Sequence, residues 1–241
     1  MEYVKASIVV PTYNESENIE ATVTGIMSIA KSSGVDLEIV IVDDNSADGT
    51  GILAEDISKR FPGKILVIHR KNKAGLSSAI MEGFKAASND LVGVTDADMS
   101  HELEKIPELI KPIAKGQTKL CIGSRYVVGG DIKNWGLKRM VISKGAIMLA
   151  RPLTCASDPV SGFFFLDRRI ISGAKLDLEG YKLLLEILVK GKYSGAVEVP
   201  YSFVNRTRGK SKLGGLEMYY YLKTLSRLYA YRISNKKNQL S

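Results

Sequence analysis

In the first hundred residues, short β-branched runs alternate with stretches of helical periodicity, which confines the chain to a parallel sheet with crossover helices. Residues 7–10, 37–42, 65–68 and 91–95 read as strands, and residues 16–32, 48–59 and 76–87 as the helices between them. The first helix carries Ile19, Val23, Ile26 and then Ile29 or Ala30 on one face. The expected fold class is α/β, a mainly parallel sheet flanked by helices. In such open sheets ligands collect beyond the carboxyl ends of the strands. Those ends read Pro11-Thr12-Tyr13-Asn14-Glu15, Asp43-Asp44-Asn45-Ser46, Arg70-Lys71-Asn72-Lys73 and Asp96-Ala97-Asp98, so three of the four supply carboxylates.

After residue 120 the alternation gives way to a strand over 120–123, a basic amphipathic helix over 135–149 and the run Val160-Ser161-Gly162-Phe163-Phe164-Phe165, read as an elaboration on the acceptor side. A helix over 180–189, a strand over 196–203, a polar basic loop over 205–215 read as mobile, and a tyrosine-rich helix over 216–233 complete the chain. The charge divides the same way. Residues 1–120 hold 13 basic and 18 acidic side chains and residues 121–241 hold 21 and 8, within a net charge of +8. An anionic partner is therefore expected at the second half. The expected domains are one unit over 1–212, whose halves 1–120 and 121–212 differ in pattern and charge, and a basic amphipathic C-terminal segment over 213–241.

No apolar stretch approaches the roughly 20 residues that cross a bilayer. The N-terminus lacks a secretory pattern. Cys121 and Cys155 fit neither a metal pair nor a disulfide scaffold, so a reducing, cytoplasmic setting is expected. Gly209-Lys210-Ser211 lacks the glycine that a P-loop needs at position 204, where Val204 stands. The first strand turn has no glycine for a dinucleotide pyrophosphate. His69 and His101 have no histidine at metal-ligand spacing, and no recognised nucleic-acid module accompanies the charge.

Asp96-Ala97-Asp98 projects two carboxylates from one turn after an apolar strand. This suits Mg²⁺ or Mn²⁺, which need few protein carboxylates when diphosphate oxygens and water complete the coordination. Asp43 and Asp44 end the second strand, where one can accept hydrogen bonds from a nucleoside and the other brace the loop. Arg139 and Ser143 stand four apart on one helix face, and a guanidinium can grip phosphate bidentately.

Together, Val9-Val10-Pro11-Thr12-Tyr13-Asn14-Glu15, Ile41-Val42-Asp43-Asp44-Asn45-Ser46, Asp96-Ala97-Asp98 and Gly123-Ser124-Arg125-Tyr126 resemble the family 2 glycosyltransferases of GT-A fold, specifically the dolichol-phosphate mannose synthases that lack transmembrane helices. The likeness continues through Asp158-Pro159-Val160-Ser161-Gly162-Phe163, Phe203-Val204-Asn205-Arg206 and Gly209-Lys210-Ser211-Lys212-Leu213. It implies that Pro11, Tyr13, Glu15, Val42, Asp44, Asp96 and Ala97 hold the nucleotide, with Asp43 supportive, and that Asp96 and Asp98 bind the metal. Some relatives place a third metal ligand where this chain has Ser100, which leaves room for water. The resemblance further assigns Arg125, Arg139 and Ser143 to the acceptor phosphate, and Arg206 with Lys212 to a loop closing over the phosphates. With Asp98, these form the expected catalytic set.

The implied reaction is inverting transfer of mannose from GDP-mannose to dolichyl or polyprenyl phosphate on the cytoplasmic face of a membrane. UDP-glucose is the rival donor, and a glycan hydroxyl the rival acceptor. A non-catalytic nucleotide-sugar or membrane-binding module is the reading from another class. A phosphomonoester acceptor is already anionic and needs no strong general base. Family members that use sugar hydroxyls carry an acidic pair late in the domain, where Leu178-Glu179-Gly180-Tyr181 has one acid. The cationic helices on the acceptor side are expected to meet the membrane surface, and a small membrane-anchoring protein is an expected partner.

Overall fold

The computed structural model describes residues 4–205 and 215–238. Strand β1 (Val4–Thr12) leads into helix α1 (Ile19–Ser33), β2 (Val35–Asp43) into α2 (Thr50–Ser58), and β3 (Ile65–His69) into α3 (Leu76–Ala86). Then follow β4 (Leu91–Val94), α4 (Ile106–Ala114), β5 (Leu120–Ser124), β6 (Asp131–Lys133), α5 (Leu137–Ala150), β7 (Phe164–Asp167), α6 (Leu183–Lys190), β8 (Val197–Pro200), β9 (Ser202–Val204) and α7 (Gly215–Asn238). Seven strands form one sheet in the order β3-β2-β1-β4-β7-β5-β8, and β6 pairs with β9 in a small second sheet.

The four N-terminal strands are parallel, as the alternation predicts. Alternate residues of one strand feed opposite cores. Ile8 and Val10 face α1, α2 and α4 through Ile19, Val23, Ile57 and Leu109. Val9 faces α3 and α6 through Ile80, Phe84, Leu184 and Ile187. A third cluster joins α5 to α7 through Ile147, Ala150, Tyr221, Leu225 and Leu228.

Three features differ from the sequence reading. The run Phe163-Phe164-Phe165 is not peripheral. Phe164–Asp167 is a central strand, antiparallel to both β4 and β5 and fully buried, which explains its continuous apolar character. It closes on β4 because Gly93 is bare: a Cβ there would stand 2.4 Å from the Phe165 ring. The single strand expected over 196–203 is two strands in two sheets, with β8 extending the main sheet and β9 pairing with β6. Helix α4, amphipathic but holding Pro107 and Pro112, was not assigned from sequence.

Candidate active site

The loops after β1 and β2 are laced together by short-range polar contacts. Asn14 and Asn45 take left-handed backbones (φ 55° and 62°), which asparagine tolerates better than most residues. The Asn14 amide donates to Ser46 Oγ, the Glu15 amide to Thr50 Oγ1, and the Ser16 amide to Asp48. The Asp48 carboxyl is held down at about 2: burial pushes it up, but the Thr50 hydroxyl and the Ser16 and Thr50 amides outweigh that. Tyr13 is half-buried with Lys73 Nζ 3.7 Å from its ring centre, and Glu15 accepts from the Asn18 side chain. Pro11 lies buried within β1, and the Val42 side chain is sealed in the core against α3, so Val42 can present only backbone to a ligand.

Asp43 and Asp44 turn in different directions. Asp43 accepts from Thr12 and from the Ser46 amide and hydroxyl, bracing the β2 loop. Asp44 accepts from Arg70 at 2.7 Å and from the Ala74 and Gly75 amides, which pins the loop after β3. Arg70 in turn bonds Ser78 and pairs with Glu82. Its role in setting Asp44 had no sequence signal, because the two stand far apart in the chain.

At the carboxyl end of β4, Asp98 is 7% exposed and accepts the Ser100 amide at 3.1 Å. Asp96 keeps about a third of its side-chain surface. Ala97 is buried, and its carbonyl accepts Thr22 of α1 at 2.8 Å, anchoring the turn from behind. Met99 follows with φ 58°, a left-handed backbone uncommon for an unbranched bulky residue and of the kind that concentrates at functional turns.

His101 is buried beneath Asp96. Its Nδ1 accepts the Asp96 amide at 3.2 Å and meets the Thr95 hydroxyl at 3.0 Å, so the ring proton belongs on Nε2, which faces Asp96 Oδ2 at 3.6 Å. Burial, reinforced by Arg125, lowers its pKa, opposed by Asp96, Asp98 and Asp158. This is a positioning role that the isolated histidine did not reveal in sequence.

The site fits a hard divalent cation through two carboxylates and the space around them. Gly162 faces Asp96, and a Cβ there would sit 3.4 Å from Oδ2, inside the space beside the carboxylate. The Ser100 hydroxyl is buried and has no hydrogen-bond partner among the described residues. Among those residues no three His, Cys, Asp or Glu side chains converge as a metal cage, as expected where substrate oxygens complete the shell.

Across from the carboxylates lie the cations. Arg125, which sequence assigns to the acceptor phosphate, is clasped by Asp158: Nε and Nη2 each donate at 2.7 Å, and the backbone amide at 3.1 Å. The Asp158 side chain is fully buried and that of Arg125 is 8% exposed. Arg139 lies 4.2 Å above the Trp135 ring and donates to Asn205 at 2.6 Å. Ser143, one turn on, meets the Tyr126 hydroxyl at 2.9 Å. Arg206 and Lys212 lie outside the described residues. An aromatic bridge links the two sides: His101 stacks on Phe163 and contacts Phe203 edge-on, Phe203 contacts Trp135, and Trp135 supports both arginines. Asp158 opens the Asp158-Pro159-Val160-Ser161-Gly162-Phe163 motif, and the family resemblance implies no role for it.

Comparison with known sequences and structures bears on this geometry. The profile described as glycosyl transferase family 2 matches residues 7–172, which includes the carboxylate turn, Arg125 and Asp158. The chain belongs to this family. It is therefore a glycosyltransferase. Curated family members named dolichol-phosphate mannosyltransferase are similar along nearly its whole length. The Pyrococcus furiosus protein is 47% identical over 93% of this chain, the Mycosarcoma maydis protein 41% over 94%, and the Saccharomyces cerevisiae protein 35% over 95%. The matched regions are 63%, 79% and 88% of those proteins, so the chain spans less than two thirds of the Pyrococcus one. Among solved structures, mannosyl-3-phosphoglycerate synthase of Rubrobacter xylanophilus superposes with a TM-score of 0.71 at 17% identity, over 93% of this chain and 73% of that one. Glucosyl-3-phosphoglycerate synthase of Mycobacterium tuberculosis, solved with Mn²⁺ and UDP, gives 0.67 at 21% identity, over 93% and 78%. These likenesses establish the GT-A-like fold.

Proposed function

We propose that this chain transfers mannose from GDP-mannose to dolichyl or polyprenyl phosphate, with inversion, using Mg²⁺ or Mn²⁺ at Asp96 and Asp98. The observation that carries the reading is the pairing of a carboxylate turn at the end of β4 with a cluster of cations across the aromatic bridge, in a chain similar over more than nine tenths of its length to proteins named for this transfer. A divalent cation held by the two aspartates would neutralise charge developing on the leaving diphosphate. The first half of the chain, with Pro11, Tyr13, Glu15, Val42, Asp44 and Ala97, is the donor side. The second half, with Arg139 and Ser143, is the acceptor side.

Two anions must meet in this reaction, and the protein's contribution is to hold them in line against their repulsion. The acceptor oxygen is already ionised, so no general base is required. The buried acid on that side, Asp158, supports this, because Arg125 engages both its oxygens. Arg125 is accordingly placed as a positioning residue that sets the 158–163 loop, and Arg139 as the phosphate contact. Arg206 and Lys212 are proposed to close over the phosphates.

Helices α5 and α7 expose Leu137, Val141, Met148, Tyr219 and Ile233 beside the exposed cations Lys144 and Arg151, which supports contact with an anionic membrane surface on the cytoplasmic side. No described helix is long and apolar enough to cross a membrane. A small membrane-anchoring protein is a proposed partner at the same face. The test is transfer of radiolabel from GDP-mannose or UDP-glucose to dolichyl phosphate in detergent, with and without Mn²⁺. Label in the lipid phase only with metal and GDP-mannose is the expected result, and transfer from UDP-glucose alone would reverse the choice of donor.

A further inference from the structure

Lys182 is a lone lysine in a lysine-rich half, and its sequence gives no reason to single it out. The structure places it against the loop that carries Asp158. It precedes α6 with a non-helical backbone, after Gly180, whose φ of +96° makes the turn and whose carbonyl is held by Ser77 of α3 at 3.0 Å. From there the ammonium reaches the Val160 carbonyl at 3.2 Å and lies 4.6 Å from the Tyr181 ring. Val160 belongs to the loop that carries Asp158, the partner of Arg125, and Gly162, which faces Asp96.

An ammonium has three protons to donate, and one carbonyl engages one of them. Among the described residues no carboxylate forms an ion pair with Lys182. Burial lowers its pKa to about 8, with Arg125 and Arg139 acting in the same direction and Asp158 and Asp96 opposing them. A buried ammonium with one carbonyl acceptor and no ion pair among the described residues costs folding energy. A phosphomonoester dianion arriving there would supply the missing counter-charge.

Resting on the function proposed above, we propose that Lys182 binds the acceptor phosphate, its ammonium completing an anion site with Arg139. The acceptor is favoured over the donor diphosphate because Lys182 is carried by the second half of the chain. Its turn packs on α7, where a Cβ at Gly180 would lie 3.7 Å from Tyr220, on the side of the helices with exposed apolar residues.

The test uses the full chain as wild type, Lys182→Met and Lys182→Arg, in two assays. In the transfer assay with Mn²⁺, Lys182→Met is expected to raise the KM for dolichyl phosphate at least tenfold while the KM for GDP-mannose stays within twofold, and Lys182→Arg to recover most of the loss. In the binding assay, the single tryptophan, Trp135, reports occupancy beside Arg139 without turnover. Dolichyl phosphate is titrated against dolichol as the phosphate-free control. Lys182→Met is expected to weaken only the phosphate-dependent binding, with a melting temperature equal to or above wild type. A change confined to the GDP-mannose KM, or a lower melting temperature with both KM values unchanged, overturns the inference. If wild type binds dolichyl phosphate through Lys182 yet transfers no mannose, the proposed reaction fails and the anion site stands. Equal dolichyl phosphate binding by wild type and Lys182→Met removes the site.

Discussion

The two sides of the site are built in opposite ways. On the donor side, carboxylates are held largely by backbone amides of nearby turns: Asp98 by Ser100, Asp43 by Ser46, Asp48 by Thr50. On the acceptor side, cations are held by groups far along the chain: Arg125 by Asp158, Arg139 by Asn205, Lys182 by Val160. Amides cannot be mutated away or titrated, so these carboxylates keep donors that no side-chain change removes, although Asp44, Asp48 and the Ala97 carbonyl are also tied to Arg70, Ser16 and Thr22, far off in the chain. The acceptor side depends on the whole fold being assembled before its charges have partners.

The largest effect should come from the donor side. Asp98→Ala is expected to reduce turnover by about 10³-fold or more, with little change in melting temperature, since what it removes is stabilisation of developing charge. Near-wild-type rates at saturating Mn²⁺ would contradict both the metal site and the contrast. Asp158→Asn should instead act on stability: it strands a buried guanidinium, a change worth about 3–5 kcal/mol, read as a large fall in urea midpoint. If its stability matches wild type, the acceptor side is less interdependent than its geometry indicates.

Arg139→Ala is expected to raise the dolichyl phosphate KM about 10–100-fold, the scale of one or two charged hydrogen bonds, and to leave the GDP-mannose KM unchanged. Arg70→Ala should do the reverse more weakly, raising the GDP-mannose KM by about 10-fold or less as Asp44 loses one of its three donors. The last effect, on stability and not on turnover, is in pH dependence. Lys182 has a folded pKa of about 8 against a usual 10.5, so the unfolded chain binds more protons between those values. Its cost to stability is therefore full below about pH 8 and fades as pH rises toward 10.5. Wild type should gain stability over that window relative to Lys182→Met, and parallel curves would mean the amine is not desolvated.

The same contrast explains what could be read from residues alone. The β-α alternation to residue 95, the carboxylate turn and the bracing of the β2 loop all follow from patterns within a few positions, and the structure reproduces them to within two or three residues at most boundaries. The central place of Phe164–Asp167 was missed because an apolar run indicates burial but not which strands lie beside it. The pairing of Arg125 with Asp158, 33 residues away, could not be read from the residues around either. His101 stood out only by its closeness to Asp98 in the chain, and Lys182 had no pattern around it.

What the sequence determined by itself is the parallel αβ half and the gathering of its carboxylate-bearing loops at one sheet edge, because strand periodicity and helix faces act over short range. Only the tertiary structure decided which cations of the second half already hold a buried counter-charge, as Arg125 does in Asp158. That depends on contacts closed across dozens of residues, where a single antiparallel strand and the bare backbone of Gly93 and Gly162 set the distances.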